Sequence, residues 1–336
     1  MEYRYFGNTE LKVSSICYGT MRYANKSGNY DEQTKAGDAA LNEAIDRGVN
    51  FIHSSNEYGT RWLTGRVLEK HPKRHELHHI IKVNVPDWGD PYFDPSAFRS
   101  RIEEALKELH TERIAVVQHL QRGEVDPEIG YCAEGEPKRL ADLKSVNESL
   151  LETFEKLRDE GKVGYLSSFP YTAGFAEKVV ESEAFSGIVA YFDALETEML
   201  DLFPDMKSRG MGFIGIRPFA AGILTDRRVD REKLPPDDRF QDSQFDRFYD
   251  QLSQLRSRLK EDPQSWTRFA IRFSLSHPVI ASTVVGINTP EQLQDILAAA
   301  DEGVLPDDTV TLAHQVCTEF RKRFGVKANK AGVPVY

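Results

Sequence analysis

Short apolar runs rich in β-branched residues alternate with longer amphipathic stretches along most of the chain. Amphipathic helices are predicted at residues 31–47, 94–109, 143–160 and 266–276. Strands are predicted at residues 15–19, 50–54, 79–83, 114–119, 164–168, 188–192, 212–217 and 282–286. Eight strand–helix repeats favour a (β/α)8 TIM barrel over an open doubly wound sheet, and no Gly-x-Gly-x-x-Gly follows the first strand. We therefore predict one barrel domain over residues 1–336.

The segments outside this repeat give the barrel its expected additions. Alternation around Gly7 and Asn8 predicts a β-hairpin over residues 3–15. Long connections at 122–140 and 225–264, the second with a helix at 244–260, would rise from the C-terminal face, where barrel enzymes build their sites. An extra C-terminal helix is predicted at residues 307–324.

Composition narrows the class of partner. A net charge of −10 argues against non-specific binding to nucleic acid or to an anionic membrane. No apolar run approaches the roughly 18 residues of a membrane span, and the first residues lack the apolar stretch of a signal peptide. Cys17, Cys132 and Cys317 are far apart and in no metal-binding spacing, so we expect reduced thiols in a cytoplasmic protein.

Tyr58 and Lys82 are the strongest candidates for chemistry. Each follows or ends a predicted strand, and the two strands are neighbours in the repeat. A phenol and an ammonium at the C-terminal ends of adjacent parallel strands would point into one pocket, where the cation lowers the pKa of the phenol. A lysine within an apolar strand is costly unless it is paired or lies at a pocket mouth, which favours a site role for Lys82.

Six segments in the same order resemble the aldo-keto reductases. They are residues 6–14, 18–21, 48–59, 160–163, 217–225 and 285–293. The resemblance implies hydride transfer from NAD(P)H to a carbonyl, with tyrosine as general acid and lysine lowering its pKa. It also implies an aspartate paired with the lysine and a histidine that orients the carbonyl. Tyr58 and Lys82 match the first two of these four positions.

The other two positions differ from the family pattern. His53 stands in the aspartate position, and Leu120 stands in the histidine position with His119 one place early. A one-residue offset on a strand turns a side chain to the other face, unless a bulge restores it. His53 and His119 are thus candidate catalytic residues, with structural histidines as the alternative. Without a carboxylate partner, Lys82 is expected to have a lower pKa than in the full constellation.

The resemblance also implies a set of cofactor-binding residues, with NADP as the expected cofactor and NAD as the alternative. They are Gly19, Thr20, Met21, Ser168, Arg217, Pro218, Phe219, Ala221, Gly222, Leu224, Gly286, Asn288, Gln292 and Asp295. Arg217 is the nearest candidate cation for a pyrophosphate, or it pairs with an acidic loop residue. An ungapped comparison places Phe169 and Pro170 where the family has a Ser-Asn pair for the nicotinamide carboxamide, whereas a one-residue gap puts Ser168 near the serine position with no asparagine after it.

Several residues carry alternative interpretations. Thr289, Pro290 and Gln292 form a good helix start as well as a phosphate segment. Phe192 and Asp193 end the sixth strand, where a stacking aromatic or a polar contact to nicotinamide is expected. A metal site from His53, His119 and Asp193 is disfavoured because Lys82 between them would repel a cation. Trp88, after the third strand, is a candidate for the substrate pocket.

The leading function is an NAD(P)H-dependent oxidoreductase that reduces a small carbonyl compound, such as an aldehyde, a ketone or a sugar-like molecule. The first alternative is non-redox lyase or isomerase chemistry on the same barrel, in which a partly neutral Lys82 acts as base or Schiff-base nucleophile with Tyr58 and His53. The second is a catalytically inactive member that binds a nucleotide or a protein partner. The sequence leaves the substrate and the oligomeric state open.

Overall fold

A computed structural model describes residues 1–23, 30–85, 93–121, 125–126, 130–131, 136–170 and 173–324. Trp88 and Cys132 lie outside these residues. So does much of the predicted connection at 122–140, within which two short strands pair antiparallel.

Eight parallel strands close into a barrel, in the order β3-β4-β5-β6-β9-β10-β11-β12. The strands along the chain are β1 Tyr3–Tyr5, β2 Lys12–Ser14, β3 Ile16–Gly19, β4 Phe51–Ser55, β5 His78–Val83, β6 Ile114–Gln121, β7 Val125–Asp126, β8 Gly130–Tyr131, β9 Val163–Pro170, β10 Gly187–Tyr191, β11 Gly212–Ile216 and β12 Ile280–Gly286. The predicted (β/α)8 barrel and its N-terminal hairpin, β1 with β2, are confirmed.

Helices surround the barrel. They are α1 Glu32–Asp46, α2 Arg61–Leu68, α3 Pro95–Glu108, α4 Glu136–Asp159, α5 Ala173–Ser182, α6 Phe203–Ser208, α7 Asp246–Arg258, α8 Trp266–Leu275, α9 Pro290–Asp301 and α10 Asp307–Phe324. The short helix α2 was missed, partly because Gly65 weakens its helical pattern. That glycine lets two helices meet closely, since a Cβ there would lie 1.6 Å from the Glu108 carbonyl oxygen. In the described part of the chain, no helix is long and apolar enough to span a membrane.

Strand alternation creates two apolar layers. Alternate residues such as Phe51, Ile80 and Val116 fill the barrel interior, while the residues between them pack outward against the helices. The hairpin contributes Phe6 to the inner layer. Its ring lies where a Cβ on Gly212 would come within 2.4 Å, so the barrel needs glycine there. At the C-terminal ends of the strands the inward positions become polar on one side, and these form the candidate site.

Candidate active site

Tyr58 lies on a single 3-10 turn that connects β4 to α2. Ser55 caps this turn by accepting a hydrogen bond from the Glu57 backbone N–H at 3.2 Å. Gly59 ends it with a φ of 66°, a conformation that favours glycine. Tyr58 is half-buried, and the Nζ of Lys82 lies 5.2 Å from the centre of its ring. The structure therefore brings the two strongest sequence candidates together.

Lys82 does have a carboxylate partner, in contrast to our expectation from the sequence. Its Nζ forms an ion pair with Oε2 of Glu57, the residue before Tyr58. The side chain of Asn84 donates a hydrogen bond to the other carboxylate oxygen at 3.3 Å. Only 9% of the Lys82 side chain and 25% of the Glu57 side chain are exposed, so water shields this pair less than a surface pair. The sequence shows Glu57 plainly, but only the turn directs it toward Lys82.

His53 faces the barrel interior as expected and stands close to the pair. Its ring centre lies 6.0 Å from that of Tyr58, and its Nε2 donates a hydrogen bond to Oε1 of Gln118 at 2.8 Å. Burial lowers the pKa of His53 to about 4, and the charge of Lys82 adds to this, against the opposing effect of the Gln118 hydrogen bond. His53 is therefore a neutral imidazole at neutral pH.

His119 and Ser168 face away from the pocket, and both candidates must be corrected. His119 is in register with Val83, which belongs to the outer layer. Its Nε2 donates to the Val85 carbonyl oxygen at 2.7 Å, and its ring packs edge-on against Phe98 of α3 at 6.2 Å. Ser168 is in register with His119 and shares that face. The register around His119 is regular on both sides, so no bulge returns it to the interior.

The opposite side of the barrel mouth is apolar and aromatic. Leu120 and Phe169 form a buried cluster with the partly buried Tyr191 and Ile216. The rings of Phe169 and Tyr191 meet edge-on with their centres 5.4 Å apart. The aromatic residue that faces inward from the sixth barrel strand is therefore Tyr191. Phe192, our sequence candidate, packs instead against Phe213 and helix α8 in the outer layer.

Arg217 interacts with other side chains of the protein at the rim of the barrel mouth. It has an unusual φ of 63°, forms an ion pair with Glu196 at 3.0 Å and lies over the Tyr191 ring at 4.4 Å. The alternative interpretation of Arg217, a pair with an acidic loop residue, is the one that the structure supports. Asp193 is fully buried beside this pair, and burial together with the charge of Glu196 raises its pKa well above the usual range.

Two arginines that the sequence did not single out, Arg228 and Arg239, lie against the same ring on the strand-seven loop, and the charge of Arg22 acts on both. The guanidinium groups of Arg228 and Arg239 each lie 4.7 Å from the Phe240 ring centre. Burial lowers the pKa of both arginines, and the charge of Arg22 lowers both further, while Asp238 opposes this. Nε of Arg228 is buried and has no hydrogen-bond partner among the residues that the structure describes. A buried guanidinium donor without a partner, next to a second arginine, is typical of an anion site.

Arg228 lies next to Gly222, one of the predicted cofactor-binding residues. Gly19 and Gly286 are in register at the ends of β3 and β12. Gly286 is exposed, and a Cβ there would meet no atom within 4 Å. Gly222, with a φ of 113°, leaves its Cβ position 3.6 Å from a guanidinium nitrogen of Arg228. The loop therefore brings a surface with little side-chain cover up to the arginines.

Other predicted cofactor residues have structural roles. The hydroxyl of Thr20 donates to the His53 carbonyl oxygen at 3.0 Å, and the Leu224 side chain lies in the core. Asp295 forms an ion pair with Arg268 at 2.9 Å. Thr289 caps α9 as predicted, and the Gln292 side chain accepts from the Asn288 backbone N–H at 2.9 Å. Met21, Pro218, Phe219 and Ala221 lie in turns after β3 and β11, at the same end of the barrel.

The described residues contain no group of three or more His, Cys, Asp or Glu side chains arranged to hold a metal ion. His53 and His119 face opposite sides of the barrel wall, so they do not meet in the arrangement weighed from the sequence.

Comparison with known proteins agrees with this architecture. The chain matches the model of the Aldo/keto reductase family over residues 15–316. It belongs to that family. The sequence is 25% identical to "Uncharacterized oxidoreductase YrpG" of Bacillus subtilis, covering 90% of this chain and 91% of that protein. It is 24% identical to L-galactose dehydrogenase of Arabidopsis thaliana, covering 90% and 89%. The holo form of aldo-keto reductase AKR11C1 from Bacillus halodurans shares the fold, with a TM-score of 0.71, 20% identity and coverage of 94% and 96%.

In this aldo-keto reductase, the phosphate end and the nicotinamide end of a dinucleotide would contact residues of different chemistry. Arg228 beside Gly222, with Arg239 on the same loop, would match the charge of a pyrophosphate or 2′-phosphate. At the ends of β9 and β10, Phe169 and Tyr191 present rings where the resemblance implies polar partners for a carboxamide. The site thus fits the phosphate end well and the nicotinamide carboxamide poorly.

Proposed function

We propose that the protein is an NAD(P)H-dependent oxidoreductase that reduces a small carbonyl compound. Membership of the aldo-keto reductase family and relatives named oxidoreductases support this proposal. The observation that carries it is the cluster of Tyr58, Lys82 and Glu57 at the barrel mouth, which forms an acid with a charged neighbour and a balancing carboxylate. Such a cluster is suited to giving one proton to a carbonyl oxygen.

The roles of the residues follow from their charges. Tyr58 donates its phenolic proton to the carbonyl oxygen, and the Lys82 ammonium stabilises the phenolate that remains. His53 stays neutral and therefore adds no second positive charge beside Lys82. His53 and its partner Gln118 line the interior next to Tyr58 and are positioned to contact the substrate.

The cofactor would be held chiefly through its phosphates. Arg228 and Arg239 would pair with the phosphate oxygens, and Gly286 and Gly222 would allow close backbone approach. A bound reduced nicotinamide supplies the hydride for the reaction. We propose NADP as the cofactor, with NAD as the alternative, because Arg228 and Arg239, together with the charge of Arg22, provide more positive charge than a pyrophosphate needs.

The Schiff-base alternative loses support from the ion pair. A nucleophilic lysine must be neutral, whereas a carboxylate in contact with Lys82 stabilises its charged form. A second candidate does have an observation in its favour. The apolar surroundings of Phe169 and Tyr191 favour a member that binds a nucleotide through its phosphates and turns over slowly or not at all.

Nucleotide titration followed by a carbonyl screen tests both candidates. We expect NADPH to bind at micromolar concentration and to be oxidised in the presence of one or more aldehydes, ketones or sugars. Tyr58→Phe should lower kcat by about 10²- to 10⁴-fold without weakening nucleotide binding. Tyr165→Phe, a half-buried tyrosine beside the inner layer, is the matched control. Binding without turnover would favour the second candidate, and no binding of either nucleotide up to millimolar concentration would refute both.

A further inference from the structure

We propose that Glu57, rather than any residue at position 53, is the carboxylate that keeps Lys82 charged beside Tyr58. This makes Glu57 a positioning residue for proton transfer. The inference deepens the proposed function and, for its catalytic consequence, rests on it.

The geometry of the turn carries the proposal. Ser55 and Gly59 fix the two ends of the 3-10 turn, so Glu57 and Tyr58 are held on one rigid segment. Oε2 of Glu57 contacts Nζ of Lys82, and Oε1 accepts from the Asn84 amide at 3.3 Å. Both carboxylate oxygens thus have donors on β5 or directly after it. The acid, the carboxylate and the lysine are joined by two adjacent strands and one short turn.

The other groups that face Lys82 cannot replace Glu57. On β4, His53 is neutral near pH 7 and would oppose the ammonium if it were charged. On β6, Gln118 is in register with Lys82 and is uncharged. Tyr58 is the acid itself. Among the residues that the structure describes, the ion pair with Lys82 comes from Glu57.

A loss of this carboxylate should alter both the lysine and the reaction. In Glu57→Gln the amide keeps the size of the side chain but removes its charge. Lys82 should then lose its proton at a lower pH, by about one pH unit, which is a tenfold change in its acid dissociation constant. A neutral lysine no longer stabilises the phenolate of Tyr58, so the alkaline limb of the kcat profile should move down by a similar amount.

The decisive measurement does not depend on turnover. Protein labelled with ¹³C at the lysine Cε positions is titrated by NMR, and the Lys82 resonance is assigned from its absence in Lys82→Met. The expected result is a lower midpoint for Lys82 in Glu57→Gln and a midpoint close to wild type in Glu57→Asp. Glu152→Gln, which removes an exposed carboxylate paired with Lys156, is the matched control and should leave Lys82 unchanged.

A second variant, in which the carboxylate is moved to another position near Lys82, separates the effect of the charge from a structural effect of the substitution. His53→Asp in the Glu57→Gln background returns a carboxylate to the interior near Lys82 and should raise the midpoint again. An unchanged Lys82 midpoint in folded Glu57→Gln would overturn the proposal. If wild type reduces no carbonyl but Glu57→Gln still shifts Lys82, the proposed reductase function is wrong, while the assignment of the lysine's carboxylate holds.

Discussion

The polar and apolar sides of the barrel mouth present different groups. On the polar side, position 53 carries no carboxylate, yet Lys82 forms an ion pair because Glu57 lies on the following turn. On the apolar side, the rings of Phe169 and Tyr191 meet where the resemblance led us to expect polar partners for a carboxamide.

The difference reflects the physics of the two interactions. A charge requirement is met by any carboxylate at short range, because a Coulomb interaction depends on distance far more than on direction. Recognition of a carboxamide needs donors and acceptors at fixed distances and angles. A neighbouring turn can therefore restore the first property, while aromatic rings cannot supply the second.

Apart from effects on the reaction itself, the largest effect that we expect is a loss of folding stability at acidic pH, caused by His53 on the polar side. His53 has a folded-state pKa of about 4 against about 6.5 when unfolded. The unfolded chain therefore takes up a proton that the folded chain does not, and stability falls as the pH drops from about 6.5 to 4, by about 3 kcal/mol for this residue. Urea unfolding between pH 7 and 4 should show that His53→Gln flattens this slope.

His79 provides the control for that experiment. Burial lowers its pKa to about 4 as well, but it lies near the start of β5, away from the mouth. His79→Gln should flatten the stability slope to a similar extent without changing nucleotide binding or turnover. A slope in His53→Gln equal to that of wild type would show that His53 is protonated in the folded state.

An intermediate effect is expected at the phosphate end. If the nicotinamide side contributes little affinity, binding depends mainly on Arg228 and Arg239. Arg239→Gln should weaken NADPH binding about tenfold, because one charge-assisted contact is lost, and should reduce its salt dependence. Isothermal titration at two salt concentrations measures both, and Arg258→Gln at a surface ion pair is the control. Unaltered affinity in Arg239→Gln would place the phosphates elsewhere.

The smallest effect should come from restoring polarity on the apolar side. Phe169→Ser with Pro170→Asn offers new hydrogen-bond partners that together contribute about 1 kcal/mol, so NADPH should bind about fivefold more tightly. The adenosine half alone, tested as 2′,5′-ADP, should bind as in wild type. The double variant will lose folding stability because Phe169 is buried in an apolar cluster, and a thermal melt must accompany the titration. An equal gain for 2′,5′-ADP would contradict a carboxamide effect.

Much of the fold follows from local pattern. The alternation of apolar runs and amphipathic stretches predicted all eight barrel strands, with ends that differ by a few residues. Helices α2, α5 and α6 were not predicted, and in α2 the presence of Gly65 is explained only by its contact with α3. Helix α4 begins at Glu136, earlier than the predicted residue 143. The prediction started too late because the first residues of the helix carry a weaker apolar pattern.

The proximity of the two strongest candidates, Tyr58 and Lys82, could be predicted from the sequence. Tyr58 and Lys82 were identified because a lysine in an apolar strand and a tyrosine after the preceding one are informative by position alone. Position along the strand also made His119 a weaker candidate, because strand alternation already placed its side chain on the outer face. Arg228 and Arg239 were missed because they carry no local motif and lie in a long connection whose path the sequence does not reveal.

The sequence alone determined the strand–helix repeat, the inward and outward faces of each strand, and the chemical groups available at the strand ends. These depend on periodicity and on residue identity, which are local properties. Only the tertiary structure decided that Glu57 pairs with Lys82, that Arg217 pairs with Glu196, and that Arg228 and Arg239 lie against one ring. Such pairings depend on where turns direct their side chains, and charge interactions act through space without regard to position along the chain.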